Sequence, residues 1–251
     1  MQPLITHHRH GAVHELRLAR PPVNALDPAL CGELRAAVDA AVSGGAHGIV
    51  LAGGPRVFSA GLDVPHLLTL SQGQLRDAWE GFFLAARTLA GCPVPVAAAI
   101  DGHAPAGGCV LALCCDYRVM ADGEYRIGLN ETQVGLVAPE GIQRLLRRVV
   151  GPHRAERLLV AGEMVDARQA LRIGLVDDLA DPGQVATRAL AWLDALLALP
   201  RTPVLATRAI ARADLIAALA PELIRLDRFL ETWNEPQTQA ALHALVAKLG
   251  K

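Results

Sequence analysis

The sequence predicts an α/β fold that is followed by a C-terminal region built only of helices. Two apolar, strand-like runs, Gly48–Ala52 and Cys92–Ile100, alternate with segments in which apolar residues recur at helical spacing. From about Pro182 onward the strand-like runs stop, and further prolines separate helical segments. With 251 residues, 52% of them hydrophobic, the chain can bury a substantial core. We expect an α/β core over residues 1–195 and a helical region over residues 196–251.

The N-terminal elements are predicted from turn and cap residues. Residues 3–8 and 12–18 are expected to form two strands around a turn at His10-Gly11. The cluster His7-His8-Arg9-His10 alternates between strand faces, which favours an exposed basic strand over a metal site. Asp27 is a plausible N-cap with Pro28 at the first helical position. The helix that follows leads to the strand Gly48–Ala52, which indicates a βαβ unit.

The later elements follow from periodicity and from Gly and Pro positions. Asp122-Gly123, between Val119–Ala121 and Tyr125–Ile127, has the sequence of a hairpin turn. Asp101–His103 is expected to turn into the central stretch, and Gly174–Val176 to form a last short strand. Helices are predicted over 73–90, 140–149, 152–162, 166–173, 182–198, 203–214, 219–233 and 236–248, with a short helix or turn over 65–70.

Composition argues against several classes of protein. A formal net charge of −1 does not predict a nucleic-acid footprint. No apolar run reaches membrane-spanning length, and the N-terminus does not have the pattern of a secretory signal, so we expect a cytoplasmic bacterial protein. Five cysteines without framework spacing are expected to be free thiols in a reducing compartment. The adjacent pair Cys114-Cys115 suits no zinc site, and no metal site is predicted.

The stretch Pro105–Glu131 carries the strongest functional signal. It begins as a loop that enters a helix at Gly107-Gly108, where the absence of Cβ atoms lets a ligand approach backbone N–H groups that have no intrahelical acceptor. It also contains a carboxylate, Glu131, after a short strand-like run. A second loop, Val57–Asp63, follows the strand Gly48–Ala52. Donors from two loops can converge on one oxygen, as an oxyanion hole requires, and a carboxylate beside it can move a proton.

These stretches together resemble the crotonase (enoyl-CoA hydratase/isomerase) superfamily. The resemblance is carried by four motifs and their order: Arg20-Pro-Pro-Val-Asn-Ala-Leu26, Phe58-Ser-Ala-Gly-Leu-Asp63, Ala106-Gly-Gly-Cys-Val-Leu-Ala112 and Asp116-Tyr-Arg118. The segment Ile127–Gly135, followed by Ala138-Pro139, looks most like the mitochondrial-type Δ3,Δ2-enoyl-CoA isomerases. The resemblance implies repeated ββα units in two sheets, C-terminal helices used in trimer contacts, and a homotrimer or homohexamer.

The resemblance also implies roles for individual residues. The backbone N–H groups of Leu62 and Gly107 would hold the thioester carbonyl of an acyl-CoA, and Glu131 would move a proton from C2 to C4 of a 3-enoyl group. The neighbours of Leu62 would line the thioester and pantetheine region; these are Ala60, Gly61, Asp63 and Val64. The plainer alternatives are that both glycine-rich loops are tight turns and that Glu131 is a surface or capping residue.

Val110 departs from the pattern of the family's hydratases, which carry a glutamate three residues after the first glycine. Valine cannot exchange a proton, which argues against hydration and fits isomerisation. Glu140, at a predicted helix start, is either a first-turn carboxylate or a second acid in the pocket. His66 and His103 are expected to have turn or packing roles, and Asp63 and Asp116 capping or ion-pairing roles.

The sequence therefore predicts a cofactor-independent isomerase that converts a 3-enoyl-CoA to a trans-2-enoyl-CoA in the oxidation of unsaturated fatty acids. CoA enters as part of the substrate. Two alternatives stay open. One is 2-enoyl-CoA hydration or related crotonase-type chemistry that uses Glu131 with Glu140. The other is an acyl-CoA-binding subunit without catalysis.

Overall fold

The computed structural model describes residues 2–249 and contains two β-sheets. The larger sheet has six strands in the order β1-β2-β3-β5-β7-β10, and the smaller has four in the order β4-β6-β8-β9. All pairings in the large sheet are parallel except β1 with β2. The strands are β1 Ile5–His10, β2 Val13–Leu18, β3 Gly48–Ala52, β4 Arg56–Val57, β5 Val96–Ile100, β6 Gly102–Pro105, β7 Tyr117–Ala121, β8 Arg126–Gly128, β9 Val165–Asp166 and β10 Asp178–Ala180.

Thirteen α-helices connect and cover these strands within residues 2–249. They are α1 Pro28–Ser43, α2 Val64–Leu67, α3 Gln72–Ala90, α4 Gly107–Leu113, α5 Glu140–Val150, α6 Pro152–Ala161, α7 Ala167–Ile173, α8 Val185–Leu197, α9 Arg201–Ala211, α10 Ala213–Ala218, α11 Pro221–Ile224, α12 Leu226–Trp233 and α13 Pro236–Leu249. A short 3₁₀ helix spans Glu131–Val134.

Cap residues fix the starts of the long N-terminal helices. Asp27 accepts a hydrogen bond from the backbone N–H of Leu30 at 2.8 Å, and Pro28 occupies the first position of α1, as the sequence predicts. Helix α3 starts with a reciprocal capping box between Ser71 and Gln74. These local bonds satisfy N–H groups that the helices themselves leave unpaired.

Helices bury both faces of the large sheet. Ile49 and Leu51 of β3 belong to the main apolar core, whereas Val50 and Ala52 pack with α8 on the opposite face. A parallel strand covered on both sides needs apolar residues at every position, which explains the uninterrupted run Gly48–Ala52. The α/β fold class is confirmed, and so is the exposed position of His7–His10 on the edge strand β1.

Three of the predicted elements are wrong. Val119–Ala121 and Tyr125–Ile127 do not form a hairpin, because β7 lies in the large sheet and β8 in the small one. The last strand is β10, Asp178–Ala180, and Gly174 instead ends α7 in a left-handed conformation. Residues 102–105 form the strand β6 where only a turn was expected.

The C-terminal region is helical, with more breaks than predicted. The predicted helix 203–214 begins earlier, at Arg201, and ends at Ala211, and the predicted helix 219–233 is divided at Arg225, which has a left-handed backbone with φ of 48°. Side chains from this region, including Phe229 and Leu242, belong to the main core. The division at residue 195 stays a prediction.

The five cysteines are free and buried, in agreement with the free thiols that were expected. No single helix among the described residues is long and apolar enough to cross a membrane. The pair α8 and α9, bent by 113°, satisfies that criterion only when its two helices are taken together.

Candidate active site

The small sheet brings the predicted site segments together at the carboxyl ends of its strands. Strands β4, β6 and β8 are mutually parallel neighbours, so their carboxyl ends lie side by side. The segment Phe58–Asp63 follows β4, the start of α4 at Gly107 follows β6, and Glu131 follows β8. Ligand sites of parallel sheets form where loops leave such carboxyl ends. Three segments far apart in sequence therefore meet because their strands are adjacent.

A cavity of about 680 Å³ lies at the carboxyl ends of these strands. Five of the predicted residues other than Glu131 line it: Ala60, Leu62, Asp63, Val64 and Gly107. Glu131 also lines it, whereas Gly61 lies directly behind Gly107. Arg20, Val23 and Ala25 contribute one wall, and a group of aromatic side chains contributes another.

The two glycine-rich loops pack against each other at distances that exclude side chains. A Cβ placed on Gly61 would lie 3.1 Å from the backbone nitrogen of Gly107, and Gly61 has a φ of 81°. A Cβ on Gly108 would lie 2.4 Å from the carbonyl oxygen of Ser59, which is closer than atoms can approach. The close contact therefore excludes a side chain at Gly108, whereas at Gly61 the left-handed backbone together with the short approach to Gly107 favours glycine.

The backbone N–H groups of Leu62 and Gly107 have no hydrogen-bond acceptor among residues 2–249. Both residues line the cavity, and a Cβ on Gly107 would be 3.0 Å from Cδ1 of Leu62. The residue before Gly107, Ala106, has φ 45° and ψ −117°, a conformation that L-residues rarely adopt. Strained backbone of this kind is found at functional sites. Two unpaired donors from different loops can stabilise an oxygen that gains negative charge.

The loop that carries Leu62 is anchored to the segment Asn24–Leu26. Leu26 donates from its N–H to the carbonyl oxygen of Gly61 at 2.7 Å, and its own carbonyl accepts from the N–H of Asp63 at 3.0 Å. These two bonds form an isolated parallel bridge on either side of Leu62. They leave the N–H of Leu62 free while holding its neighbours in place.

Glu131 begins the 3₁₀ helix at the end of β8, and Gly135 ends that helix with a left-handed backbone. Its Oε2 is buried and has no hydrogen-bond partner in the described part of the chain. Burial disfavours the charged form and raises the pKa of Glu131 to about 7. A carboxylate with a pKa near neutrality can both accept and return a proton at physiological pH.

Asp63, the other carboxylate that lines the cavity, already has partners. Its Oδ2 accepts from Arg20 at 2.7 Å, and its Oδ1 caps α2 by accepting from the N–H of His66 at 3.1 Å. Arg20 also pairs with Asp27 at 3.1 Å. Asp63 therefore has the ion-pairing and capping contacts that its position predicts.

Val110 lines the cavity one turn after Gly107 and is 2% exposed. Glu140 does not line this cavity. It occupies the first turn of α5, where its Oε1 accepts from Arg144 at 2.6 Å, and this hydrogen bond lowers the pKa of Glu140. The geometry thus favours the helix-start interpretation of Glu140 over a second acid at the site.

Within the described part of the chain, His66, His103 and Asp116 lack the contacts of catalytic residues and have structural positions instead. His66 is exposed on α2, and Nδ1 of His103 accepts from the backbone N–H of Arg126 at 3.1 Å. Asp116 forms ion pairs with Arg208 at 2.7 Å and Arg212 at 3.0 Å, outside the cavity. Within residues 2–249 no group of three or more His, Cys, Asp or Glu side chains is arranged to hold a metal ion.

Sequence reasoning missed the aromatic wall of the cavity. It consists of Trp79, Phe82 and Phe83 from α3 and Phe229 and Trp233 from α12. The spacing of 79, 82 and 83, and of 229 and 233, places each set on one helix face, which was the available signal. That the two faces meet over one cavity depends on tertiary packing.

Comparison with known proteins identifies a consistent set of similar chains. The family model described as "Enoyl-CoA hydratase/isomerase" matches residues 8–249. The mouse mitochondrial enoyl-CoA delta isomerase 1 is 32% identical over 247 residues, covering 95% of this chain and 84% of that protein. A protein of Mycobacterium tuberculosis described as a "probable enoyl-CoA hydratase" is 38% identical over 179 residues, covering 70% and 68% of the two chains.

Solved structures give the same picture at the level of the whole chain. The crystal structure of human mitochondrial Δ3-Δ2-enoyl-CoA isomerase superimposes with a TM-score of 0.93 at 30% identity, covering 98% of each chain. An enoyl-CoA hydratase structure from Mycobacterium ulcerans superimposes with a TM-score of 0.85 at 28% identity, covering 90% and 99%.

Proposed function

Because the chain belongs to the enoyl-CoA hydratase/isomerase family of crotonase-fold enzymes, we propose that it is an isomerase that moves the double bond of a 3-enoyl-CoA to the 2 position. The family supplies the fold and the acyl-CoA substrate class. The isomerase similarity extends over 95% and 98% of the chain. The choice of reaction depends on the side chains in the cavity.

One observation favours isomerisation over hydration. Among the described residues that line the cavity, Glu131 has a carboxylate oxygen without a partner, whereas Asp63 is held by Arg20 and by the start of α2. A double-bond shift needs one base that removes a proton and then returns one. Hydration needs water activated at one carbon and a proton delivered at another. A single free carboxylate fits the first reaction.

In the proposed reaction the carboxylate of Glu131 removes a proton from C2 of the 3-enoyl thioester. This leaves a dienolate, in which the electron pair of the broken C–H bond is shared between C2, C4 and the thioester oxygen. The N–H groups of Leu62 and Gly107 hold this oxygen as it becomes negative; in comparable sites the loss of one such donor costs about 3 kcal/mol of transition-state stabilisation. Protonated Glu131 then delivers the proton to C4, which leaves the double bond between C2 and C3 and restores the carboxylate.

Hydration of a 2-enoyl-CoA is the second candidate, favoured by the 38% identity to the M. tuberculosis protein. Val110 argues against it, because the hydratases that the motif resembles carry a second glutamate at the matching place and a valine cannot exchange a proton. Glu140 does not supply the missing acid in this conformation, since it is paired with Arg144 and lies outside the cavity.

A paired assay tests the proposal. One arm offers 3-hexenoyl-CoA and follows the absorbance of the conjugated 2-enoyl thioester, and the other offers crotonyl-CoA and follows loss of that absorbance on hydration. We expect isomerisation to be the faster reaction by at least about a hundredfold, and Glu131→Gln to lower it by about 10²–10⁴-fold while acyl-CoA still binds. Faster hydration would replace the proposal by the second candidate. Binding without either reaction would favour a non-catalytic subunit.

Three further expectations accompany this function. No metal or redox cofactor takes part, so activity should survive exhaustive treatment with EDTA. The chain assembles as a homotrimer or homohexamer through its C-terminal helices, which light scattering would measure. It acts in the cytoplasm in the oxidation of unsaturated fatty acids, and a gene deletion should impair growth on those acids more than on saturated ones.

A further inference from the structure

The 3₁₀ helix Glu131–Val134 packs between α6 and α13. On one side the hydroxyl of Thr132 donates to the carbonyl of Leu159, near the end of α6, at 3.2 Å. On the other side α13 lies so close that a Cβ on Gly135 would be 3.1 Å from the Cα of Thr238. The segment that carries the candidate base is therefore enclosed by two helices that come later in the chain.

The hydroxyl of Thr238 forms a hydrogen bond outside its own helix. Threonine hydroxyls in helices commonly bond to a carbonyl of the same helix, as those of Thr88 and Thr232 do at 2.9 and 2.8 Å. Thr238 instead donates to the carbonyl of Gly135, 103 positions away, at 2.7 Å. Thr238 is 2% exposed, so water does not compete for this bond. The bond ties α13 to the end of the 3₁₀ helix.

Thr238 and Glu131 bind opposite sides of one peptide group. The carbonyl of Gly135 and the N–H of Leu136 belong to the same peptide group, which is planar and rigid. Its N–H donates to the backbone carbonyl of Glu131 at 2.9 Å, and its carbonyl accepts from Thr238. The two hydrogen bonds polarise each other, so each strengthens the other. A change at Thr238 is therefore transmitted to the backbone of Glu131 through a single rigid unit.

We infer that Thr238 is a positioning residue for Glu131, because its hydroxyl holds the peptide group that in turn holds the backbone of the base. The inference rests on the proposed isomerisation and adds a residue to its machinery. Oε2 of Glu131 has no hydrogen-bond partner among residues 2–249, so the position of the carboxylate depends on its backbone. Thr238 is not among the described residues that line the cavity, so it acts on the base and not on the substrate.

Helix α13 gives Thr238 a fixed support. Leu242 and Leu245 follow Thr238 at intervals of four and three residues, which places the three side chains on one helix face. Leu242 is buried in the main core, and Leu245 lines the cavity. Near the start of the helix, the side chain of Gln239 donates to the carbonyl of Trp233 at 2.7 Å. None of these contacts involves the 3₁₀ helix, so α13 is held independently of the segment that it positions.

The test replaces Thr238 by valine, which keeps the shape of the side chain and removes the hydroxyl. A displacement of about 1 Å at a reacting group can lower a rate by about 10²-fold. With 3-hexenoyl-CoA we expect kcat of Thr238→Val to fall by at least about tenfold, while KM stays within about twofold because the cavity walls are unchanged. Thr238→Ser keeps the hydroxyl and should retain kcat within about threefold of the wild type.

The pH profile of kcat/KM separates positioning from stability. Burial raises the pKa of Glu131, and no charged side chain among the described residues contributes to this shift. The titratable side chain that interacts with it is Cys109 of α4, whose thiol stays protonated because burial raises its pKa. A carboxylate that leaves its buried position loses part of the raised pKa, so the midpoint for Thr238→Val should fall by at least about half a pH unit.

Thr232→Val is the matched control. It removes a threonine hydroxyl that bonds within α12, from a residue that is not among those lining the candidate cavity, so kcat and the midpoint should stay at their wild-type values. Urea unfolding establishes that every variant is folded under the assay conditions. The assignment would be overturned by an equal loss of kcat in Thr232→Val, by a loss that Thr238→Ser does not restore, or by a lowered kcat with the midpoint unchanged.

Failure of the inference and failure of the proposed function give different results. If the wild type isomerises 3-hexenoyl-CoA and Thr238→Val does so with the same kcat, the function stands and the positioning role is wrong. If the wild type isomerises no 3-enoyl-CoA, the proposed function itself fails, and the positioning role of Thr238 fails with it.

Discussion

The hydroxyl of Ser59 donates a hydrogen bond to the backbone carbonyl of Asn24 at 2.8 Å, and both residues are buried. The same hydroxyl oxygen accepts from the N–H of Gly61 at 3.2 Å. Asn24 completes the connection, because its side chain donates to the carbonyl of Phe58 at 3.1 Å. Two motifs 35 residues apart are thus joined directly behind the proposed oxyanion donor Leu62.

Replacing Ser59 by alanine should loosen this loop. The change leaves a buried carbonyl and a buried N–H without their partner, which costs about 1–3 kcal/mol of unfolding free energy. Because the loop positions the N–H of Leu62, kcat should fall more than KM rises. Urea unfolding and steady-state kinetics measure the two effects. Ser43→Ala at the exposed end of α1 is the matched control, and equal kinetics in the two variants would show that Ser59 does not position the site.

Replacing Gly108 by alanine should disrupt the contact between the two loops. The new methyl would lie 2.4 Å from the carbonyl oxygen of Ser59, so the backbone of one loop must move. We expect loss of most activity and a loss of stability of at least about 1–3 kcal/mol, as for other overpacked sites.

Gly81→Ala is the control for that substitution. Gly81 lies in α3, and apart from its chain neighbours and the backbone of its own helix no atom lies within 4 Å of the point that a Cβ would occupy. Alanine there should therefore stabilise the protein by about 0.5–1 kcal/mol through helix propensity. If Gly108→Ala behaves like Gly81→Ala, the close packing of the two loops is not needed for activity.

The long elements and the glycine-rich loops could be predicted because their signals are local. Asp27 and Pro28 mark the start of α1 through one cap hydrogen bond and one fixed backbone angle, both of which act within a few residues. The misassigned hairpin at Asp122-Gly123 shows the limit of such signals. Gly123 does not adopt a positive φ, and the N–H of Asp122 bonds instead to Ala180, 58 residues away in β10.

Site residues could be predicted only where they belong to a recognisable sequence motif. Glu131 and the loop glycines lie in recognisable segments, but β6 has four residues and too little periodicity to be seen, although it is the strand that places Gly107 beside the other two segments. The aromatic wall of the cavity was missed for a related reason. Trp79 and Phe229 are 150 positions apart, and their contact exists only after α12 packs on α3.

The pH dependence of the rate should follow the ionisation of Glu131. The base acts as the carboxylate, and its pKa is raised to about 7 by burial, so kcat/KM should increase with pH and reach half its plateau near pH 7. Below that point it should fall tenfold per pH unit, since the acyl-CoA double bond does not ionise. Glu140→Gln should leave the profile unchanged. A flat profile between pH 5.5 and 9 would mean that Glu131 does not act as the base.

The same raised pKa should make Glu131 cost stability at high pH. Its pKa is 4.5 in an ordinary environment and about 7 in the folded protein, so between these values the unfolded chain releases the proton while the folded protein retains it. The folded state then binds more protons than the unfolded state, and stability decreases as pH rises through this range. The cost is absent below about pH 4.5 and complete above about pH 7, where it is on the order of 3 kcal/mol.

Glu131→Gln removes the ionisation and should therefore gain unfolding free energy relative to the wild type as pH rises from 4.5 to 8.5. The pH-independent cost of burying the amide cancels when the two pH values are compared, so urea unfolding of both proteins at both pH values isolates the effect. Glu140→Gln supplies a control of opposite sign, because the pKa of Glu140 is lowered by Arg144 and its loss removes a stabilising charge at high pH. A gain for Glu131→Gln that does not change with pH would show that Glu131 is not buried in the folded protein. Combined with a rate profile that is flat between pH 5.5 and 9, this result would argue that the carboxylate of Glu131 faces water.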